Sequence, residues 1–220
     1  MTLPKLHYIS QGASSKEHLE NIQNACSSGA ELVQLRLKHI PLKEVLATAA
    51  EAREITAHFQ TRLIINDYYK IAKEVKADGV HLGKTDTDPD TARKALESWQ
   101  IIGGTANTLQ DCLHLIKKNV DYIGLGPFRY TTTKTNLSPI LGIEGYGHII
   151  NELQTNTPII AIGGITVNDV LNILSTGVYG IATSGEITRN FDNINMFTTR
   201  LKHPDQLKEQ VWKPNQNSTT

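Results

Sequence analysis

Residues 122 to 136 read YIGLGPFRYTTTKTN. The apolar start, Tyr122 to Leu125, has the composition of a buried strand, and the chain turns at Gly126-Pro127 before delivering Thr131, Thr132, Thr133 and Lys134. Three hydroxyls and an ammonium just past a strand end suit either a solvated loop or a cradle for a phosphate. A second segment poses the same choice. In LVQLRLK the period of two sets Val33, Leu35 and Leu37 on one face and Gln34, Arg36 and Lys38 on the other. With the apolar face buried, an amide and two cations point the opposite way, and leaving them unpaired inside a fold costs several kcal/mol. They want an anion, or they face water on an edge strand.

Carboxylates stand nearby. IIND ends in Asn66 and Asp67, and GVHLG is followed by Lys84, Thr85 and Asp86. Two carboxylates from neighbouring strand ends can share a hard cation through oxygen ligands, with substrate phosphates completing the shell, as magnesium sites do. Each is also an ordinary turn or cap residue. Asp88, just before Pro89, reads as a helix cap, and His81, alone in its strand, as a satisfied core histidine rather than a base. Further on, GGTANT offers Thr105 and Asn107, while IAIGGI and GIATSGEI offer glycines past which backbone N–H groups can approach a phosphate. A Gly-Gly pair equally serves a tight turn.

These residues need a frame. Short β-type runs (KLHYIS, LVQLRLK, RLIIND, GVHLG, QIIGGT, DYIGLG, PIIAIGG, GIATS) alternate with stretches of helical period. Leu109, Cys112, Leu113 and Ile116 fall at i, i+3, i+4 and i+7, as do Val167, Val170, Leu171 and Leu174. Ser14 with Glu17 and Thr166 with Asp169 look like side-chain caps, Pro89 like a first-turn proline, and Gly177 like a helix end. Several strand runs are apolar with little alternation, as parallel strands covered on both faces are. Eight such units predict a single α/β domain, a (β/α)8 TIM barrel over residues 1–203, with an open doubly wound sheet as the rival. Residues 204–220 lose the periodicity and read as a polar tail. In a barrel the site forms at the strand C-termini and the loops beyond them, which is where every candidate above falls.

Composition narrows the function. Lys plus Arg and Asp plus Glu number 22 each, and no block of like charge stands out, so a broad nucleic-acid or anionic-membrane surface is not expected. An anion must be met by a few local cations. The two cysteines, Cys26 and Cys112, lie in helical stretches and suit small apolar thiols in a reducing compartment. The start MTLPKLHYIS has neither a charged n-region with a long apolar h-region nor the length of a transmembrane helix, so the expected location is cytoplasmic. The sequence leaves open whether the protein is a homo-oligomer.

Taken together, QLRLK, IIND, DGVHLG followed by Asp86, YIGLGP with TTTK, and IAIGGI resemble thiamine-phosphate synthase over roughly residues 5 to 190. The resemblance implies a (β/α)8 barrel that joins hydroxymethylpyrimidine diphosphate to a thiazole phosphate, giving thiamine phosphate and diphosphate. By the same resemblance Gln34, Arg36, Lys38 and Asn66 would hold the pyrimidine diphosphate, and Asp67 and Asp86 would bind Mg2+. Thr105 stands where the family usually has a serine near the substrate. Thr131 and Thr133 would reach the thiazole phosphate, Lys134 would lie by the diphosphate, and Gly164 with the amides after the eighth strand, around Ser184 and Gly185, would complete the thiazole phosphate site. Lys134, Arg36 and Lys38 are thus the implied catalytic cations, and the implied partners are small molecules.

The pattern departs from the family in three places. Tyr68 follows Asp67 where an acidic residue is frequent, Lys84-Thr85 precede Asp86 where Gln-Glu is common, and GIATSGEI replaces the usual GVAVVSAI, which moves Ser184 one position early and puts Gly185 in the serine's place. Two other functions are open. A related thiazole tautomerase would need an acid–base group, by resemblance a histidine after the fifth strand, where this chain has Asn107. A barrel that binds a phosphorylated ligand without turning it over would have little need of two carboxylates and a leaving-group lysine.

Overall fold

Among residues 2–130 and 139–203, which a computed structural model of the chain describes, eight parallel strands follow one another in chain order and close on themselves. They are β1 (Leu6–Ile9), β2 (Leu32–Leu35), β3 (Arg62–Asn66), β4 (Gly79–Leu82), β5 (Ile101–Ala106), β6 (Tyr122–Leu125), β7 (Ile159–Ile162) and β8 (Gly180–Thr183). The closing ladder runs between β8 and β1, Ala182 opposite His7. The barrel, not the open sheet, is the fold.

Helices connect the strands: α1 (Ser15–Ser27), α2 (Leu42–His58), α3 (Tyr69–Glu74), α4 (Pro89–Ala95), α5 (Leu109–Lys117), α6 (Gly142–Leu153), α7 (Val170–Leu174) and, after β8, α8 (Gly185–Arg189) and α9 (Asn193–Lys202). Ser14 caps α1 by accepting the Glu17 N–H at 3.2 Å, and Glu17 reaches back to the N–H of Ala13. Thr166 and Asp169 form the reciprocal cap expected of them, but the helical run that follows is split into a 3-10 turn (Val167–Asp169) and α7, since a short turn at a helix start tightens readily. Asp88 caps α4, accepting the Asp90 N–H, and Gly177, at φ +90°, ends α7. The polar stretch expected from 204 onward lies outside the described residues.

Alternate residues of each strand face opposite ways, and the two sets meet different neighbours. Val33, Leu35, Leu63, Ile65, Val80, Leu82, Ile123 and Ile181 pack outward on the helices in the main core. Ile9, Tyr122, Ile160 and Ala182 fill the barrel interior. Asp78 and Asp121, each just before a strand, accept the N–H of the preceding strand's Leu63 and Ile102 and pair with Arg53 and Arg93. They sit at the N-terminal face, where such ties serve stability. Cys26 and Cys112 are buried thiols in α1 and α5, and burial raises both, Cys112 to about 12, which keeps them unreactive.

Candidate active site at the mouth of the barrel

β2 is shorter than its sequence pattern. It ends at Leu35 because β1 ends at Ile9: the Ser10 N–H still bonds the Gln34 carbonyl at 2.9 Å, but the Arg36 N–H finds the Ser10 hydroxyl at 3.1 Å in place of a ladder carbonyl. The alternation nevertheless carries on beyond the strand. Leu37 is buried in the outer core, while Arg36 is half-buried and Lys38 exposed. Gln34, inside the barrel, is 4% exposed.

Lys38 is ion-paired with Asp67, the residue after β3. Asp67 holds φ at +65°, a left-handed conformation that a short polar side chain tolerates, and its N–H continues the ladder to the His81 carbonyl at 2.8 Å. Its carboxyl is raised above the ordinary 3.8, first by burial and then by a hydrogen-bonding contact with the Asp86 carboxyl, against the pull of Lys38. Asp86 is fixed from behind by the Gly83 N–H at 2.7 Å. Arg36 is lowered by burial while Asp67 works the other way. Two carboxyls and two cations therefore converge at the ends of β2, β3 and β4.

Asn66, the last residue of β3, is 6% exposed, and its side-chain Nδ2 has no hydrogen-bond partner. A buried amide N–H left unmade costs about 1–3 kcal/mol, a cost that an acceptor arriving at the mouth would relieve. Thr105 is half-buried at the end of β5, with Oγ1 2.9 Å from His81 Nε2. His81 is partnered as expected, with Nδ1 3.0 Å from the Tyr122 hydroxyl. Asn107 donates its amide to the Gly126 carbonyl and joins the β5 and β6 ends.

A second region surrounds the glycines after β7. Gly163 and Gly164 have φ of +102° and +67°, and a Cβ on Gly164 would lie 2.4 Å from Arg129 Cγ. Arg129 donates to the Gly164 carbonyl at 2.8 Å and grips Asp169 through both guanidinium nitrogens, at 2.8 and 2.7 Å. Ser184 precedes α8 with its hydroxyl 3.4 Å from Gln11 Oε1, and Gly185 faces Gln11 and Arg189. Thr131, Thr133 and Lys134 lie outside the described residues. Their neighbours Arg129, bonded to the Gly163 carbonyl, and Leu141, bonded to the Pro127 carbonyl, fix where the chain leaves this region and where it returns.

A family model for thiamine monophosphate synthase matches residues 6–187 of this chain. The chain belongs to that family. It is 44% identical over 189 residues to the thiamine-phosphate synthase of Flavobacterium johnsoniae, covering 84% of this chain and 89% of that one. It is 44% identical over 197 residues to the synthase of Flavobacterium psychrophilum, covering 88% and 96%. Its fold superposes on the solved thiamine phosphate pyrophosphorylase of Pyrococcus furiosus with a TM-score of 0.77 at 29% identity, covering 90% of this chain and 93% of that one.

Within this thiamine-phosphate synthase family member, the sequence reading missed Ser10, Gln11, Arg129 and Asp169 as parts of the mouth, and Tyr122 in the interior beneath it. Ser10 and Gln11 had a signal, since a polar pair directly after a barrel strand falls under the same rule that singled out Asn66 and Asp67. Arg129 had a weaker one, a lone cation between Phe128 and Tyr130. Among the described residues no helix is long and apolar enough to cross a membrane.

Proposed function

We propose that this chain couples hydroxymethylpyrimidine diphosphate to a thiazole phosphate at the barrel mouth, with Gln34, Arg36, Lys38 and Asn66 on the diphosphate side and Gly164, Ser184 and Gly185 on the thiazole phosphate side. Family membership supports the reaction. The observation that carries the diphosphate assignment is Asn66 Nδ2, buried without a partner beside the Lys38–Asp67 pair. Thr105 would bear on the same substrate, and Thr131, Thr133 and Lys134 take their roles from the family motif.

The carboxyl pair fits Mg2+. Asp67 is raised by burial and by Asp86, the penalty a divalent cation between two oxygen donors removes, and among the described residues no third His, Cys, Asp or Glu joins them to make a closed cage. Two protein carboxylates leaving room for phosphate oxygens and water is the ordinary arrangement for this ion. Bound there, Mg2+ would supply Lewis-acid charge to the leaving diphosphate.

The residues' own work follows from where charge develops. The aminopyrimidine ring can delocalise a cation on its exocyclic carbon as the carbon–oxygen bond breaks, so no protein nucleophile is needed. Negative charge then grows on the departing diphosphate oxygens, and Arg36 and Lys38, already held at the strand ends before the step begins, stabilise it with little reorganisation, a task Lys134 shares by the family motif. The thiazole nitrogen, held by its own phosphate near the glycines after β7, attacks the carbon and forms the new carbon–nitrogen bond. Holding both partners in place favours that capture over water. A tautomerase reading gains nothing here, because the Asn107 amide has no titratable proton and is committed to Gly126.

The test is direct. Purified protein is given both substrates with Mg2+ or with EDTA, and thiamine phosphate and diphosphate are followed together. Equimolar products that require Mg2+ are expected; binding of both substrates with no product in either condition would replace the synthase by a phosphorylated-ligand binder.

A further inference from the structure

Gln34 and Thr105, both on the proposed diphosphate side, are joined through the barrel interior. Burial raises the Tyr122 phenol of β6, and a side-chain hydrogen bond with Gln34 on β2 works the other way. The Tyr122 hydroxyl is 3.0 Å from His81 Nδ1 on β4, and His81 Nε2 is 2.9 Å from Thr105 Oγ1 on β5. Tyr122 is 1% exposed and His81 8%. The two rings stack at 5.4 Å between centroids. Room for them is made by glycines on β5 and β6: a Cβ on Gly103 would lie 2.1 Å from Tyr122 Cζ, and one on Gly124 would lie 3.1 Å from His81 Cε1.

The order of donors follows from Gln34. If its amide N–H donates to the phenol oxygen, the phenol hydrogen goes to His81 Nδ1, the proton of the neutral imidazole stands on Nε2, and Nε2–H donates to Thr105 Oγ1. The Thr105 hydroxyl hydrogen is then left to point at the mouth. We propose that His81 and Tyr122 are positioning residues, which hold Thr105 as a hydrogen-bond donor to an acceptor atom of the aminopyrimidine diphosphate. This rests on the proposed function, since it is that reading which puts the substrate against Thr105.

The test uses the full chain and both substrates. Tyr122→Phe keeps the ring and removes the hydroxyl; it is expected to lower kcat/KM for the pyrimidine diphosphate about tenfold while leaving KM for the thiazole phosphate unchanged. Thr105→Ala should do the same, and the double variant should be no worse than Thr105→Ala alone, because the phenol acts through that hydroxyl. Thr105→Ser should restore the wild-type rate. Additive losses, or an equal rise in both KM values, overturn the proposal and make the pair a matter of packing. A folding defect in a variant does not touch the second measurement, imidazole 15N shifts in the labelled wild-type protein. They should report the Nε2–H tautomer of His81, and an Nδ1–H tautomer overturns the proposed polarity. A wild-type protein that makes no thiamine phosphate instead overturns the function, whatever the tautomer, and removes the substrate on which this inference depends.

Discussion

Lys38, three residues beyond the end of β2, pairs with Asp67, the residue after the neighbouring strand β3. The pair holds a cation where a diphosphate would need one and keeps a raised carboxyl from being worse off. With Asp67 as the proposed Mg2+ ligand, it would also tie metal binding to pH.

A metal takes the ionised carboxylate, so its affinity should fall as pH drops through the Asp67 value, which lies above the ordinary 3.8. Asp86→Asn removes a negative neighbour and should move that fall to lower pH, while weakening Mg2+ about tenfold at neutral pH. Initial rates against Mg2+ from pH 5 to 8 measure both. An unchanged metal titration in Asp86→Asn would place the ligand elsewhere.

Asn66 should separate function from stability. Its unpartnered Nδ2 contributes nothing to the free fold, so Asn66→Ala should change the unfolding free energy by no more than about 1 kcal/mol while kcat/KM for the pyrimidine diphosphate falls about 100-fold. Urea unfolding and steady-state kinetics on one preparation decide it. A large stability loss would mean that Asn66 is held within the fold.

His7 gives a pH-dependent stability. It is 1% exposed, 3.0 Å from the Pro4 carbonyl and edge-on to Tyr122. Burial brings it down from 6.5 to about 4, opposed by the Pro4 hydrogen bond and helped by the Arg62 charge. The folded imidazole thus stays neutral where the unfolded one takes a proton, and stability is lost as pH falls from 6.5 toward 4. At pH 5 the loss from this group is about 2 kcal/mol. Urea unfolding at pH 7 and pH 5 should show a smaller difference in His7→Gln than in the wild type.

Gly164→Ala meets two obstacles, a φ of +67° and Arg129 Cγ at 2.4 Å from the new methyl. It should cost about 1–3 kcal/mol of stability and raise KM for the thiazole phosphate, leaving KM for the pyrimidine diphosphate alone. Adding Arg129→Ala should recover part of the stability, since it removes the collision. Equal effects on both KM values would argue that the glycines do not serve the thiazole side.

The barrel was legible because its signals are local. The apolar runs, the caps at Ser14, Asp88 and Thr166, and Gly177 each act over a few residues, and the structure bears them out. The mouth was legible where side chains follow a strand end, as at Asp67 and Asp86. It was not legible where a partner comes from another strand. Nothing near position 81 announces that Tyr122 and Thr105, 41 and 24 residues away, will take the two imidazole nitrogens. GGTANT was read for its hydrogen-bonding groups, but Gly103 makes room for a ring, a fact about volume that only the closed sheet creates. The early end of β2 likewise depends on where β1 stops.

That shared volume also sets an order on change. Any side chain at 103 would enter the space Tyr122 fills, so a larger residue there must wait until position 122 has become smaller, and the reverse order passes through a barrel that cannot close its interior. The two positions form a ratchet. Relatives that differ at 103 should already differ at 122, and a library that varies either position alone will recover mostly the pair found here.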